Sequence, residues 1–244
     1  MVAGQQDEKL RGVYQQLAAE SRADGKGKVY AFSSPKTGSG TSYISRQMAL
    51  IAASEIEADQ HVLILDMDIQ NNAQSAYFFA QETQTYYGVP TGPFDATFGT
   101  VPFWRVTPST VNEHGQNITD THFMSLHIVE RAGVSFSHFH WERFRDGQNV
   151  HIQNARPYWH TLRDHFSAIF VDTPALDRAN VLNTVCPEVD TNILVSATTD
   201  SQDQSLSDLM KSITEKGGTC AGVILNDGAP EDNGVRTQFG LHNE

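Results

Sequence analysis

Apolar, β-branched residues recur along the chain in six short runs: "KVYAFSS" (28–34), "HVLILDMD" (61–68), "FMSLHIVE" (123–130), "SAIFVDTP" (167–174), "TNILVSAT" (191–198) and "CAGVILND" (220–227). Most are continuous rather than alternating, the pattern of strands covered on both faces in a mainly parallel sheet. The segments between them carry helical spacing. Ile44, Met48 and Ile51 share a face after the first run. Tyr158, Leu162 and Phe166 share one before the fourth, where Pro157 suits an early helical position. Leu206, Leu209, Met210 and Ile213 do so after the fifth. This alternation predicts an α/β fold: a doubly wound, mostly parallel sheet flanked by helices, in a single domain over residues 28–227.

Three segments fall outside that rhythm. Residues 1–27 predict an amphipathic helix followed by the "ADGKGK" linker. Residues 75–122, rich in Gly, Pro, Thr and Asn, predict a long irregular insertion. Residues 228–244 are polar and predict a flexible tail. No internal repeat is visible.

Composition narrows the function classes. A chain of 244 residues with 39% hydrophobic and 19% charged residues is that of an ordinary folded protein. Its net charge of −12 argues against a nucleic-acid surface, which needs clustered Lys and Arg. Cys186 and Cys220 show neither metal spacing nor a disulfide framework, so a reducing, cytoplasmic compartment is expected. The polar N-terminus lacks the apolar core of a signal peptide. No apolar stretch approaches the roughly 20 residues that span a bilayer. Membrane association, at the inner membrane for instance, is expected only through a partner.

The candidate chemistry lies at strand ends. "SSPKTGSGTS" (33–42) joins the first strand to the first core helix. Glycines at 38 and 40 let backbone N–H groups converge on a phosphate, and the helix adds its positive end. Gly38, Ser39, Gly40, Thr41 and Ser42 are the candidate cradle, with the Ser42 hydroxyl placed to hold Mg²⁺. A Gly-Ser-Gly turn alone also fits a plain tight connection. Asp66 and Asp68 close the second run, and Asp172 closes "AIFVD" as an acidic residue suited to Mg²⁺. Because Asp66 and Asp68 alternate across the pleat, both can serve one ligand only where the strand ends. Each carboxylate also has a simpler role as a cap for the next helix.

Together "KTGSGTS", "LILDMD", "AIFVDTP" and "GVILND" resemble the P-loop ATPases related to MinD and ParA. Within them the chain is similar to the bacterial tyrosine kinases that regulate capsular and exopolysaccharide synthesis. "LHIVERAG", expected ahead of a helix, Asp190 and "TNILVSAT" also resemble that group. The resemblance implies ATP or ADP with Mg²⁺ at Ser42 and Asp172, catalytic roles for Asp66 and Asp68, and adenine recognition by Asn226. It implies a homo-oligomer, through an N-terminal Glu-x-x-Arg-x-x-Arg pattern of which Glu8 and Arg11 are kept and Tyr14 departs. It further implies a membrane polysaccharide exporter or synthase as partner.

Two departures weaken the implied activity. Thr41 stands where the group has the lysine that neutralises the β- and γ-phosphates, and the segment from 227 contains no tyrosine to accept a phosphoryl group. Lys36 occupies the place of the signature lysine that MinD and ParA relatives extend to a partner's nucleotide; a solvated loop lysine fits equally well. The reading that follows is a degenerate regulator or scaffold with weak or no catalysis. The alternative is a positioning ATPase of the MinD/ParA kind, such as a pilus-assembly localiser.

Eight of the ten histidines fall between His114 and His165. His138 and His140 carry donor chemistry for zinc. No cysteine lies near, and spacing supplies no third or fourth ligand, so surface or helix-capping roles are expected. The aromatics of "VPFWRV" and "FSHFHWERF" fit core packing before a partner surface.

Overall fold

The run "KVYAFS" forms strand β1 (Lys28–Ser33), and its side chains divide by parity between two cores. Val29 and Ala31 face one layer; Tyr30 and Phe32 face the other, as the pleat requires. The computed structural model describes residues 2–19, 22–57, 60–111, 113–114, 122–200, 203–226 and 236–238. Helix α1 (Val2–Ala18) precedes β1, and α2 (Thr41–Glu55) follows it. Strand β2 (Val62–Asp66) leads into short helices α3 (Ala73–Phe79) and α4 (Gln81–Tyr87). Then come β3 (Thr91–Asp95), β4 (Trp104–Thr107), β5 (Met124–Val129), β6 (Val134–Phe139) and β7 (Asn149–Ile152). Helix α5 (Arg156–His165), β8 (Ala168–Asp172), α6 (Leu182–Val185), β9 (Thr191–Ala197), α7 (Gln204–Glu215), β10 (Cys220–Asn226) and β11 (Arg236–Gln238) complete the order.

Nine strands among the described residues form one sheet, in the order β11-β10-β9-β1-β8-β2-β6-β5-β3. The run from β10 to β6 is parallel, and β11, β5 and β3 pair antiparallel at the two margins. The expected doubly wound, mostly parallel α/β sheet is therefore present. On one face Tyr30, Phe32 and Phe170 pack with Ile44 and Met48 of α2 and with Leu10 and Val13 of α1. On the other, Val29, Ile169 and Val171 pack with Tyr158, Trp159 and Leu162 of α5. Pro157 sits in the first turn of α5, where a missing N–H costs nothing. Of the expected α7 face, Leu206, Leu209 and Ile213 are buried, while Met210 lies toward solvent.

Three expectations need correction. "LHIVERAG" does not lead into a helix. A short 3₁₀ turn at Glu130–Ala132 and a left-handed Gly133 (φ 65°) fold the chain back into β6. It is β6 that lies parallel to β2, with β5 antiparallel outside it. The segment 75–122 is also less irregular than its composition predicts, since it holds most of α3, all of α4, and β3 and β4. β4 and β7 form a separate two-stranded ribbon that brings Phe103 and Trp104 into the core. The third concerns His138 and His140, which are not surface residues: His138 is half-buried within β6, and His140 is buried just past it, at the N-terminal flank of a 3₁₀ turn where its side chain makes no capping hydrogen bond. Of the expected tail, only 236–238 are described, as β11; the rest lies outside the described residues.

No helix among the described residues is long and apolar enough to cross a membrane.

Candidate functional site

The parallel strands β1, β2 and β8 end side by side, and the candidate residues follow from those ends. Lys36 through Gly40 connect β1 to α2, and Thr41 is the first residue of that helix, largely buried. Gly38 and Gly40 both take positive φ, 86° and 85°, which L side chains rarely adopt. At Gly40 space is equally decisive: an added Cβ would lie 2.1 Å from Asn226 Nδ2. Asn226, the last residue of β10, donates from Nδ2 to the Ser39 carbonyl at 3.1 Å. The Ser39 and Ser34 hydroxyls donate to the Lys36 carbonyl, at 2.8 and 3.0 Å. Asp177 accepts from the Thr37 N–H and hydroxyl, the latter at 2.8 Å. The loop is held at both flanks by its own chain.

Asp66 and Asp172 are register partners across β2 and β8, each essentially without exposure. Gln74 of α3 links them. Its backbone N–H donates to Asp66 Oδ2 at 3.0 Å, and its side-chain Nε2 to Asp172 Oδ2 at 2.7 Å. The same Nε2 reaches the Ser42 carbonyl at 3.0 Å. Ser42, Asp66 and Asp172 thus converge on one place. Asp66 is pushed well up from the usual carboxylate value by burial and then by the charge of Asp172. Asp172 is pushed up to about 6 by burial, against hydrogen bonding from Ser42 and Gln74.

Asp66 Oδ1 and Asp172 Oδ1 are both buried without a hydrogen-bonding partner. Two orphaned carboxylate oxygens beside a serine hydroxyl are hard donors, so the residues present fit a divalent cation such as Mg²⁺. Arg46 of α2, also buried, supplies positive charge beneath them: its Nη1 donates to Gln74 Oε1 at 3.2 Å, and its guanidinium lies 3.9 Å from the Tyr77 ring centroid.

Asp68 is drawn elsewhere. It lies past the end of β2, and Arg178 grips it with two hydrogen bonds of 2.6 and 2.7 Å. Asp66 and Asp68 therefore have different hydrogen-bonding partners, Gln74 and Arg178, while the Asp68 charge still acts on both buried aspartates. Lys36 turns to the loop before α7, with Nζ 2.5 Å from Asp203 and 3.5 Å from Asp200. Those partners raise its pKa, the hydrogen bond that it donates to Asp203 foremost.

Gln74, Arg46, Asp177, Arg178 and Asp203 carried no signal in the sequence. None belongs to a glycine-rich or strand-end pattern, and each reaches the site only through tertiary packing.

No protein-family model matches the chain, and no curated protein matches it. Solved structures do. The kinase domain of the Escherichia coli tyrosine kinase ETK is similar with a TM-score of 0.59 at 16% identity, over 96% of this chain and 80% of that one. The VpsO kinase domain gives 0.54 at 16%, over 92% and 97%. The chimerical protein CapA2B2 gives 0.55 at 14%, over 89% and 83%. At such identities the likeness establishes the fold alone: this chain shares the α/β fold of those kinase domains.

Proposed function

We propose that the chain binds a nucleoside di- or triphosphate with Mg²⁺ and acts as a regulator or scaffold of polysaccharide synthesis or export, with little or no phosphoryl transfer. The observation that carries this reading is Thr41. It opens α2 behind the Gly38–Gly40 turn, where the resemblance calls for lysine. The other cations at the loop are already engaged, Lys36 by Asp203 and Asp200 and Arg178 by Asp68.

The backbone N–H groups at the start of α2 would hold the phosphates. Ser42 and Asp172, with Asp66 beside them, would hold the metal, which when bound offsets phosphate charge. Gln74 and Arg46 keep that carboxylate pair in place. Asn226 positions the loop from below and would limit the space above Gly40. A missing charge-assisted hydrogen bond weakens binding by about 1.5–3 kcal/mol. The transition state, where charge develops, loses a factor of about 100 or more.

A homo-oligomer, an exporter or synthase partner and recruitment to a membrane belong to the same proposal. The exposed side chains of Tyr86, Val89 and Phe94 near the β3 margin support a partner surface.

Calorimetric titration of Mg·ATP and Mg·ADP against wild type and Thr41→Lys, with phosphate release followed in parallel, tests the reading. Wild type is expected to bind weakly without turnover. T41K is expected to tighten binding at least about 10-fold and to gain slow hydrolysis. A folded T41K protein that neither binds nor turns over would remove the nucleotide from the account.

A further inference from the structure

The face of β5 and β6 that meets α3 carries an uncommon set of side chains. Ser125 of β5 is the register partner of His138 on β6, and His127 that of Phe136. His138 and His140 are two residues apart, so extended backbone sends them to the same side. Their rings stand 4.6 Å apart and nearly perpendicular. Glu142 follows on a 3₁₀ turn, its carboxylate 2.7 Å from His140 Nδ1. One donor atom each from His138, His140 and Glu142 lies within 4.8 Å of the others.

Hydrogen bonds fix the rings from behind. His138 Nδ1 lies 2.8 Å from the Ser75 hydroxyl of α3. That hydroxyl also lies 3.1 Å from the Asn72 carbonyl, which can only accept. The hydroxyl proton therefore goes to Asn72, His138 Nδ1–H donates to Ser75, and Nε2 keeps its lone pair. His140 Nε2 is 2.8 Å from the Ser125 hydroxyl, which His127 Nε2 approaches to 3.0 Å from the other side. Imidazoles oriented by a hydrogen bond on the far nitrogen are the usual arrangement of metal-binding histidines.

We propose that His138, His140 and Glu142 form a three-ligand site for a divalent transition cation of the zinc class, with a fourth position left to water. Two imidazoles and one carboxylate favour zinc over magnesium or calcium, which take oxygen donors. Tetrahedral bonds of about 2.0 Å put donors about 3.3 Å apart. The cluster must contract modestly to reach this. Glu142, with a side chain 64% exposed, swings inward without uncovering the core. The site is separate from the Ser42–Asp66–Asp172 cluster, yet the two share α3. Consecutive residues serve them: Gln74 bridges the buried aspartates and Ser75 orients His138.

The test uses the full chain, stripped with chelator and titrated with Zn²⁺ against a chromophoric competitor, with Co²⁺ as a spectroscopic substitute. Wild type is expected to hold one ion per chain, to give the intense visible bands of tetrahedral Co²⁺, and to show no competition from Mg²⁺. His138→Ala and Glu142→Gln are each expected to weaken the site by about 100-fold, and Ser75→Ala by about 10-fold. Glu142 is exposed, so E142Q remains informative if the histidine variant fails to fold. Zinc affinity unchanged in E142Q, or no stoichiometric ion in wild type, overturns the proposal.

Discussion

Asp66 and Asp172 stand opposite each other on neighbouring strands, both buried, each with one oxygen that nothing satisfies. Without a cation this is a destabilising pair. An unfolded Asp ionises near pH 3.9, whereas folded Asp172 is held up to about 6, mainly by burial. At pH values below the unfolded value the carboxyl is neutral in both states. As pH rises through about 6 the folded protein must ionise a buried group, and stability falls. Buried His127, held down to about 4 by burial, works in the opposite direction, so the informative quantity is a difference. Asp172→Asn is expected to match wild type in urea unfolding at pH 4 and to exceed it by on the order of 1–3 kcal/mol at pH 8. Mg²⁺ should stabilise wild type at pH 8 and leave D172N unmoved. Identical pH profiles for the two proteins would show that the pair carries no such penalty.

Arg178 and Asp68 make a two-pronged ion pair in which the carboxylate is 6% exposed and the guanidinium 25%. Removing the cation alone strands a charge in a largely dry place. Arg178→Ala is expected to cost about 3 kcal/mol, and R178K less, since lysine keeps the charge but loses the fork. The double variant R178A/D68N should recover most of the loss. Equal urea midpoints for R178A and wild type would mean that solvent already screens the pair.

Lys36 is held 2.5 Å from Asp203, which also caps α7 by accepting from the Ser205 N–H at 2.9 Å. Asparagine keeps the cap and drops the charge. Asp203→Asn is therefore expected to change stability by less than about 0.5 kcal/mol while leaving Lys36 only its longer 3.5 Å contact with Asp200, so that it can turn toward the loop. If phosphate sits at Gly38–Ser42, affinity for Mg·ADP should rise by on the order of 10-fold in D203N. The rise should vanish in D203N/K36A. Calorimetry reads both, and a rise that survives loss of Lys36 would assign it to some other cause.

The parallel sheet was legible because its strands are continuous apolar runs, which few other structures require. The convergence of Ser42, Asp66 and Asp172 was legible for a related reason: each closes a run or opens the next helix, and parallel strands bring such ends to one edge. Strand β6 was not. "VSFSHF" places Ser135 and Ser137 among its apolar positions, and Ser137 is spent accepting the Asp66 N–H at 2.8 Å. Its polarity serves a hydrogen bond inside the sheet, which no local pattern announces. Gln74 and Arg178 were hidden by distance, since they meet Asp172 and Asp68 across 98 and 110 positions of chain. The zinc-class cluster was half legible. His138 and His140 were visible by composition, whereas Glu142 joins them only because the chain turns at Trp141–Arg143.

Gly40 offers a test of how tightly the loop is built, because two separate costs meet there. Its φ of 85° penalises any L side chain by about 1–2 kcal/mol. An added methyl would also collide with Asn226 Nδ2, 2.1 Å away, so Asn226 must release the Ser39 carbonyl. Gly40→Ala should therefore lose the backbone cost, the hydrogen bond of about 1 kcal/mol, and some repacking, for a total above about 2 kcal/mol. Asn226→Ala alone should cost about 1 kcal/mol. The double variant has no collision and no bond left to lose, so it should fall short of the sum of the single changes by about 1 kcal/mol or more. Chemical denaturation of the four proteins measures this coupling directly. Simple additivity would mean that Asn226 does not brace the loop in solution, and its position would then be open for a ligand instead.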